Sequence, residues 1–228
     1  MFKREPKVKD YTVAPKKKID WSYVGKEALE WVVCILIAYV IYLLINFFFG
    51  TVSGVKQVSM FPTAQEGDKL LIQRPTIFKH EIERGEIITF EAPIDKGYYE
   101  ELNLSSIVAE YRDYNFFQNF LYKFIGIGKV SYIKRVIAVE GDHIVIDDNG
   151  NVFVNDEKID EPYLHEQSTP KTGVYTDLVV PEGCVYAMGD NRKESKDSRF
   201  FGCVPIEHVD GYVITRIWPF SRFGSLEK

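Results

Sequence analysis

Hydrophobic positions follow three different rules along the 228 residues. From 31 to 49 the run WVVCILIAYVIYLLINFFF carries no charge, and as a helix its 19 residues would extend roughly 28 Å, close to the hydrocarbon thickness of a bilayer. A helix buried in a soluble domain usually keeps a polar stripe, and a cleavable leader has an apolar stretch of only about 7 to 15 residues. The pattern therefore predicts one transmembrane helix over 31–49.

Beyond residue 50 the apolar runs shorten and are bounded by Gly, Pro, Asp or Asn: KLLIQR from 69, EIITF from 86, YIKRVIAV from 132, HIVID from 143, NVFVN from 151, DLVV from 177, CVYAM from 184 and GYVITRIW from 211. Such runs read as strands, so 50–228 is expected to be a mostly β domain. Glu66-Gly67-Asp68 and Glu140-Gly141-Asp142 precede two of them and read as turns leading into strands.

The third rule holds between 95 and 130, where Leu104, Ile107, Val108 and Tyr111, then Phe117, Phe120, Leu121 and Phe124, recur at helical spacing. This predicts a helical insertion. Its aromatics, from Tyr114 to Phe124, suit either a membrane interface or packing onto the β domain.

Charge refines this picture at the N-terminus. Residues 1–30 hold eight Lys or Arg against five acids and read as a flexible basic tail, while the first charge after the apolar run is Lys56. By the positive-inside rule the tail is expected in the cytoplasm and 50–228 outside it, a single-pass protein of the cell membrane in contact with the lipid bilayer. With 46% hydrophobic and 27% charged residues the chain has globular composition, and a net charge of −5 gives no reason to expect nucleic acid as a partner. Three cysteines without a Cys-x-x-Cys or Cys/His cluster point to no metal and no cofactor. Cys184 and Cys203 flank the polar run 189–202, and their spacing leaves open whether they pair.

Four segments carry candidate chemistry. Ser59-Met60-Phe61-Pro62-Thr63 offers a serine that is either a turn residue or a nucleophile. In the strand YIKRVI, Lys134 has Tyr132 and Val136 as same-face neighbours, so it is either a solvated lysine or one made neutral, and thus basic, by an apolar setting. Arg135 points the other way and reads as structural. The run GDNRKESKDSRFFG places Asp197 and Arg199 two apart, on one side of an extended chain, with Ser195 able to hydrogen-bond beside an active lysine. Arg216-Ile217-Trp218-Pro219-Phe220 reads as a packing aromatic and a strand stop.

Taken in order, SMFPT, EGDKLLI, RGEIITF, YIKRVIAVEGD, GDNRKESKDSRFFG and IWPFSRFG after a single N-terminal span resemble the conserved segments of the bacterial type I signal peptidases, over 31–224. The resemblance implies a Ser/Lys dyad on a β-rich fold that cleaves signal peptides from exported preproteins. It assigns the nucleophile to Ser59 and the general base to Lys134. It implies that Ser195 hydrogen-bonds the lysine and that Asp197 with Arg199 forms a salt bridge shaping the site. His80, His143, His165 and His208 fall outside every matched catalytic position, which points to the lysine-dependent type. Gln57 stands where the family has a small or hydroxyl-bearing residue that helps build the oxyanion hole, so the second oxyanion donor stays open beside the backbone amide of Ser59. Ala138, Glu140 and Ala64 also depart from the usual Gly, Pro and Leu.

These readings lead to a membrane-anchored serine endopeptidase. The alternative is a catalytically impaired, membrane-tethered relative that binds exported chains, suggested by Gln57, Ala138 and Glu140. A self-cleaving repressor of the related Ser/Lys group would need a DNA-binding helix-turn-helix where this chain has a basic tail and an apolar run.

Overall fold

The computed structural model describes residues 21–73, 80–94, 106–115, 118, 130–166 and 168–226, without the side chains of 43 and 45–49. The expected basic tail falls mostly outside this range. By its internal contacts the chain divides into two units, 1–44 and 45–228.

The second unit is built on two antiparallel sheets. Strands β1 (Thr51–Gly54), β2 (Lys69–Gln73), β3 (Ile87–Glu91), β4 (Ser131–Val139), β9 (Cys184–Met188), β10 (Val204–Pro205) and β11 (Val209–Trp218) form a seven-stranded sheet in the order β1-β2-β11-β3-β4-β9-β10. Strands β5 (His143–Ile146), β6 (Val152–Val154), β7 (Glu157–Lys158) and β8 (Asp177–Val179) form the second, in the order β7-β6-β5-β8. The middle of β4 and all of β9 are buried on both faces, so neither shows the alternation of a half-exposed strand.

Three apolar clusters fix the arrangement. Ile144, Ile146, Val152 and Val154 of the second sheet pack with Ile137, Tyr186 and Met188 of the first. Ile88, Phe90, Val136, Ala187 and Val204 fill a second cluster. The third joins Val55, Met60 and Ala64 to Leu70, Ile87 and Leu226, and so ties the segment between β1 and β2 to the sheet. A fully buried side chain of this size contributes about 1.5–3 kcal/mol. Met60 and Ala64 therefore anchor the segment that carries Ser59.

The two Glu-Gly-Asp segments fold alike. Gly67 and Gly141 take left-handed backbone (φ 89° and 82°), the conformation that favours glycine at a tight turn. Asp68 and Asp142, both buried, then accept from the backbone amide three residues before them, Gln65 N at 3.0 Å and Val139 N at 2.8 Å. Each carboxylate also takes arginine, Arg216 and Arg222 at Asp68 and Arg84 at Asp142, which compensates its burial.

The N-terminal reading needs correction. Helix α1 (Trp21–Phe49) starts ten residues before the expected span and takes Lys26, Glu27 and Glu30 into its first turns. Among the described residues no helix is long and apolar enough to cross a membrane. The expected transmembrane helix over 31–49 is overturned by this finding. With it go membrane anchoring, the lipid bilayer as a partner, and a single-pass topology with a cytoplasmic N-terminus and an extracytoplasmic domain. The described side chains of the helix from Trp21 to Tyr42 are all exposed.

Of the insertion over 95–130, the structure describes 106–115, 118 and 130. Across 106–115 the chain is not helical: Val108 bridges Cys203 in parallel, Ala109 N donates to Cys203 O at 2.8 Å and Ile94 N to Glu110 O at 2.8 Å. The spacing of Ile107, Val108 and Tyr111 reflects packing along an edge instead of a helix face. Gln118 is helical, with its amide bonded to the Asn115 side chain at 2.9 Å. Of the aromatics, Phe116, Phe117, Phe120, Tyr122 and Phe124 lie outside the described residues. A second short helix, α2 (Ser198–Phe201), is capped by Asp197, which accepts from Arg199 N. Cys184 and Cys203 are buried free thiols.

Candidate active site

Ser59 lies in a turn closed by Phe61 N to Val58 O (3.0 Å) and Ala64 N to Met60 O (2.8 Å). Lys134 comes from the middle of β4, opposite Ile88 of β3. The two side chains meet: Lys134 Nζ stands 2.7 Å from Ser59 Oγ, with Lys134 1% and Ser59 4% exposed. Burial pulls the Lys134 pKa from its ordinary 10.5 down to about 8, against the upward pull of Asp197 and Asp190. The Tyr132 ring on the same face lies 5.3 Å from Nζ.

A cleft of about 340 Å³ opens at this pair, bordered by Lys56, Gln57, Val58, Tyr132, Glu194 and Lys196. Gln57 is exposed at the cleft. Both side chains line this cleft while remaining nearly sealed from solvent.

The loop after β9 encloses the pair from below. Arg199 grips Asp197 through Nε (2.8 Å) and Nη2 (2.9 Å), and both are fully buried. Burial alone would raise the Asp197 pKa, but the Arg199 charge and hydrogen bonds hold it below the usual carboxylate range. Asp197 also accepts from Gly189 N at 3.1 Å. Gly189 has no room for a side chain, since a Cβ there would lie 2.4 Å from Ser59 O and 2.3 Å from Ser195 Oγ. Ser195 is buried near enough to Asp197 to help keep it ionised. Its hydroxyl reaches hydrogen-bond geometry with no partner among the described residues, Lys134 included.

Sequence reasoning passed over several residues of this site. Asp190 takes two bonds from buried Arg135, Nε at 2.9 Å and Nη2 at 2.7 Å, and a third from Thr63 Oγ1. Asn191 holds the backbone at Ser59, its amide donating to Ser59 O (3.0 Å) and its side chain to Val58 O (3.3 Å). Both lie inside the run from 189 to 202 already singled out, where the signal was the acid and amide beside two arginines. Arg135 plays the structural part expected of it. Three histidine side chains pair away from Ser59 and Lys134: His80 with Glu86, His143 with Asp177 and His208 with Glu91.

Comparison with known proteins places the chain in a family. The model of the family described as signal peptidase, peptidase S26, matches residues 28–218. The chain belongs to that family of signal peptidases. Signal peptidase IB of Staphylococcus aureus (strain COL) is 31% identical over 213 residues, covering 87% of this chain and 93% of that protein. The chloroplastic thylakoidal processing peptidase 1 of Arabidopsis thaliana is 31% identical over 169 residues, 74% of this chain and 42% of that protein. A crystal structure of a signal peptidase I from Enterococcus faecalis V583 aligns with a TM-score of 0.38 at 22% identity, over 59% of this chain and 98% of that one. That looser likeness adds nothing to the assignment.

Proposed function

We propose that this protein is a serine endopeptidase that cleaves signal peptides from preproteins, with Ser59 as nucleophile and Lys134 as general base, and that 50–228 is its catalytic unit. The observation that carries this reading is the 2.7 Å approach of a buried, pKa-lowered lysine to a serine at the floor of a cleft. Neutral Lys134 takes the proton of Ser59 Oγ as that oxygen bonds to the scissile carbonyl carbon. The resulting ammonium returns the proton to the leaving amine as the C–N bond breaks. Lys134 then takes a proton from the water that attacks the acyl-serine, and Ser59 recovers it when the ester bond breaks. The Ser59 amide is assigned as one donor to the oxyanion, with Gln57 at the cleft as a candidate second. Asp197 with Arg199 shapes the loop under the lysine, and Ser195 is buried in that loop against Gly189.

The substrate is expected to bind extended, with small side chains read at the first and third positions before the cut. Incubating the purified protein with a preprotein should give one cut after a small residue. A binding module without activity would leave the preprotein intact, and cleavage that persists in Lys134→Ala would overturn the mechanism.

A further inference from the structure

The connection from β7 to β8 lies along the loop after β9. Arg192 pairs with Glu161 and donates Nη1 to Thr169 Oγ1. His165 N donates to Asp190 O at 3.3 Å, and Val174 N and Tyr175 N donate to Arg199 O at 3.0 and 3.1 Å. Gly173, with φ 93°, lets this strap approach so closely that a Cβ there would lie 2.1 Å from Arg199 O. The strap also reaches the nucleophile's own segment, where the His165 ring meets Phe61 edge to face at 4.6 Å.

One side chain of the strap reaches deeper. The Tyr163 ring centroid lies 4.0 Å from Arg135 Cζ, and its hydroxyl donates to Glu161 Oε1 at 3.0 Å. Arg135 meanwhile directs Nε and Nη2 to Asp190 and Nη1 to Gly85 O. The guanidinium is therefore held along its edge by hydrogen bonds and over its face by an aromatic ring. Burial pushes the Tyr163 hydroxyl well above the ordinary tyrosine range, so it remains a donor to Glu161 at every working pH.

We propose that Tyr163 is a positioning residue for the base: its ring keeps Arg135 seated on Asp190, so that the Asp190 carboxylate is matched before its field reaches Lys134. This rests on the Ser59/Lys134 reading above. Lys134 is faced by Ser59 from the β1–β2 connection, by Tyr132 of its own strand, and by Asp190, Asp197 and Arg199 from the loop after β9. Lys56, Glu194 and Lys196 border the cleft, where they are exposed and screened by solvent. Asp197 has its own bidentate partner in Arg199. Arg199 is tied to the strap through its backbone and through Nη1 to Pro170 O, whereas Asp190 is the carboxylate whose partner is covered by a strap ring. When Arg135 loosens, Asp190 favours the charged lysine, and water entering the vacated ring space acts in the same direction.

The test is the pH dependence of kcat/KM for the full chain on a signal-peptide substrate. Tyr163→Phe keeps the ring and should leave the acidic limb where it is in the unaltered protein. Tyr163→Leu should move that limb alkaline by about half to one pH unit, with activity recovered at high pH. Where Tyr163→Leu does not fold, Tyr163→Met fills more of the ring's volume and carries the same expectation. An unmoved limb in the folded Leu or Met variant, even with lower thermal stability or uniformly lower activity, would overturn the proposal, because a structural prop alone lowers activity without retuning the base. Lys134→Ala serves as the control. If it stays active, the dyad reading fails and this proposal with it; if it is inactive and the limb of Tyr163→Leu still does not move, only the proposal fails.

Discussion

Lys134 shows how little of a residue's chemistry resides in its identity. In water a lysine with a pKa near 10.4 is neutral in fewer than about one molecule in a thousand at pH 7, whereas at about 8 it is neutral in roughly one in ten. Only the neutral form accepts a proton, so activity should climb about tenfold per pH unit well below 8 and level off above about 9, as a pH profile of kcat/KM will show. A flat profile between pH 6 and 9 would remove Lys134 as the base. Ser59→Ala and Lys134→Ala each delete one half of the proposed pair and should lower kcat by at least about three orders of magnitude, with circular dichroism unchanged. The neighbouring residue types, SMFPT around one and Tyr132 with Val136 around the other, mark Ser59 and Lys134 only as candidates, and the family resemblance is what singles out the pair that the fold brings to 2.7 Å. Asp190, Thr63 and Tyr163 were not, because their roles come from contacts spanning 55 to 127 positions for Asp190 and from a ring that reaches Arg135 only in the folded chain. Ser195 was expected to bond the lysine; its hydroxyl instead makes no such bond.

At the scale of elements, periodicity succeeded where a strand sits in a regular sheet and failed where the chain is irregular. All eight apolar runs read as strands contain one, from β2 to β11. The strands that were missed, β1, β7 and β10, are two to four residues long, too short to establish an alternation. Residues 107–111 misled for the opposite reason, since three apolar positions at helical spacing also suit an extended chain bridged to Cys203. Pairing within the sheet also sets a limit on substitution. Gly211 of β11 lies so close to β2 that a Cβ would come within 2.4 Å of Gln73 O, and Gly211→Ala should force the two strands apart and lower the thermal midpoint. The Arg135–Asp190 pair makes a comparable demand between β4 and the loop after β9. Both side chains are fully buried, so Asp190→Asn leaves an uncompensated guanidinium and should cost about 3–5 kcal/mol in urea unfolding. Replacing both partners by apolar residues of similar volume should cost less, which separates the charge from the packing.

For the whole molecule, what matters is that every residue assigned to the site lies in the unit 45–228. Ser59, Lys134, the loop from 189 to 199 and the strap that includes 161–166 and 168–175 are joined by two sheets and three apolar clusters, whose members among the described residues all lie in 45–228. The sequence puts a boundary at 50, from the end of the apolar run, whereas the division by contacts falls between 44 and 45, inside helix α1. Helix α1 contributes differently, since its described side chains include Trp21, Trp31, Ile35 and Leu36, all more than half exposed. Runs of exposed apolar surface of this kind promote association. A chain lacking 1–44 should therefore keep the Ser59–Lys134 geometry and cleave a short signal-peptide substrate at a rate within about twofold of the full chain, because every residue assigned to the site lies in 45–228. It should also scatter less light at equal concentration, as most of the exposed apolar helix, up to Leu44, is removed. A truncated chain that folds, by circular dichroism and a cooperative melt, yet loses tenfold or more in kcat/KM would show that the N-terminal unit takes part in the site, and the catalytic unit would then have to be drawn larger than 50–228.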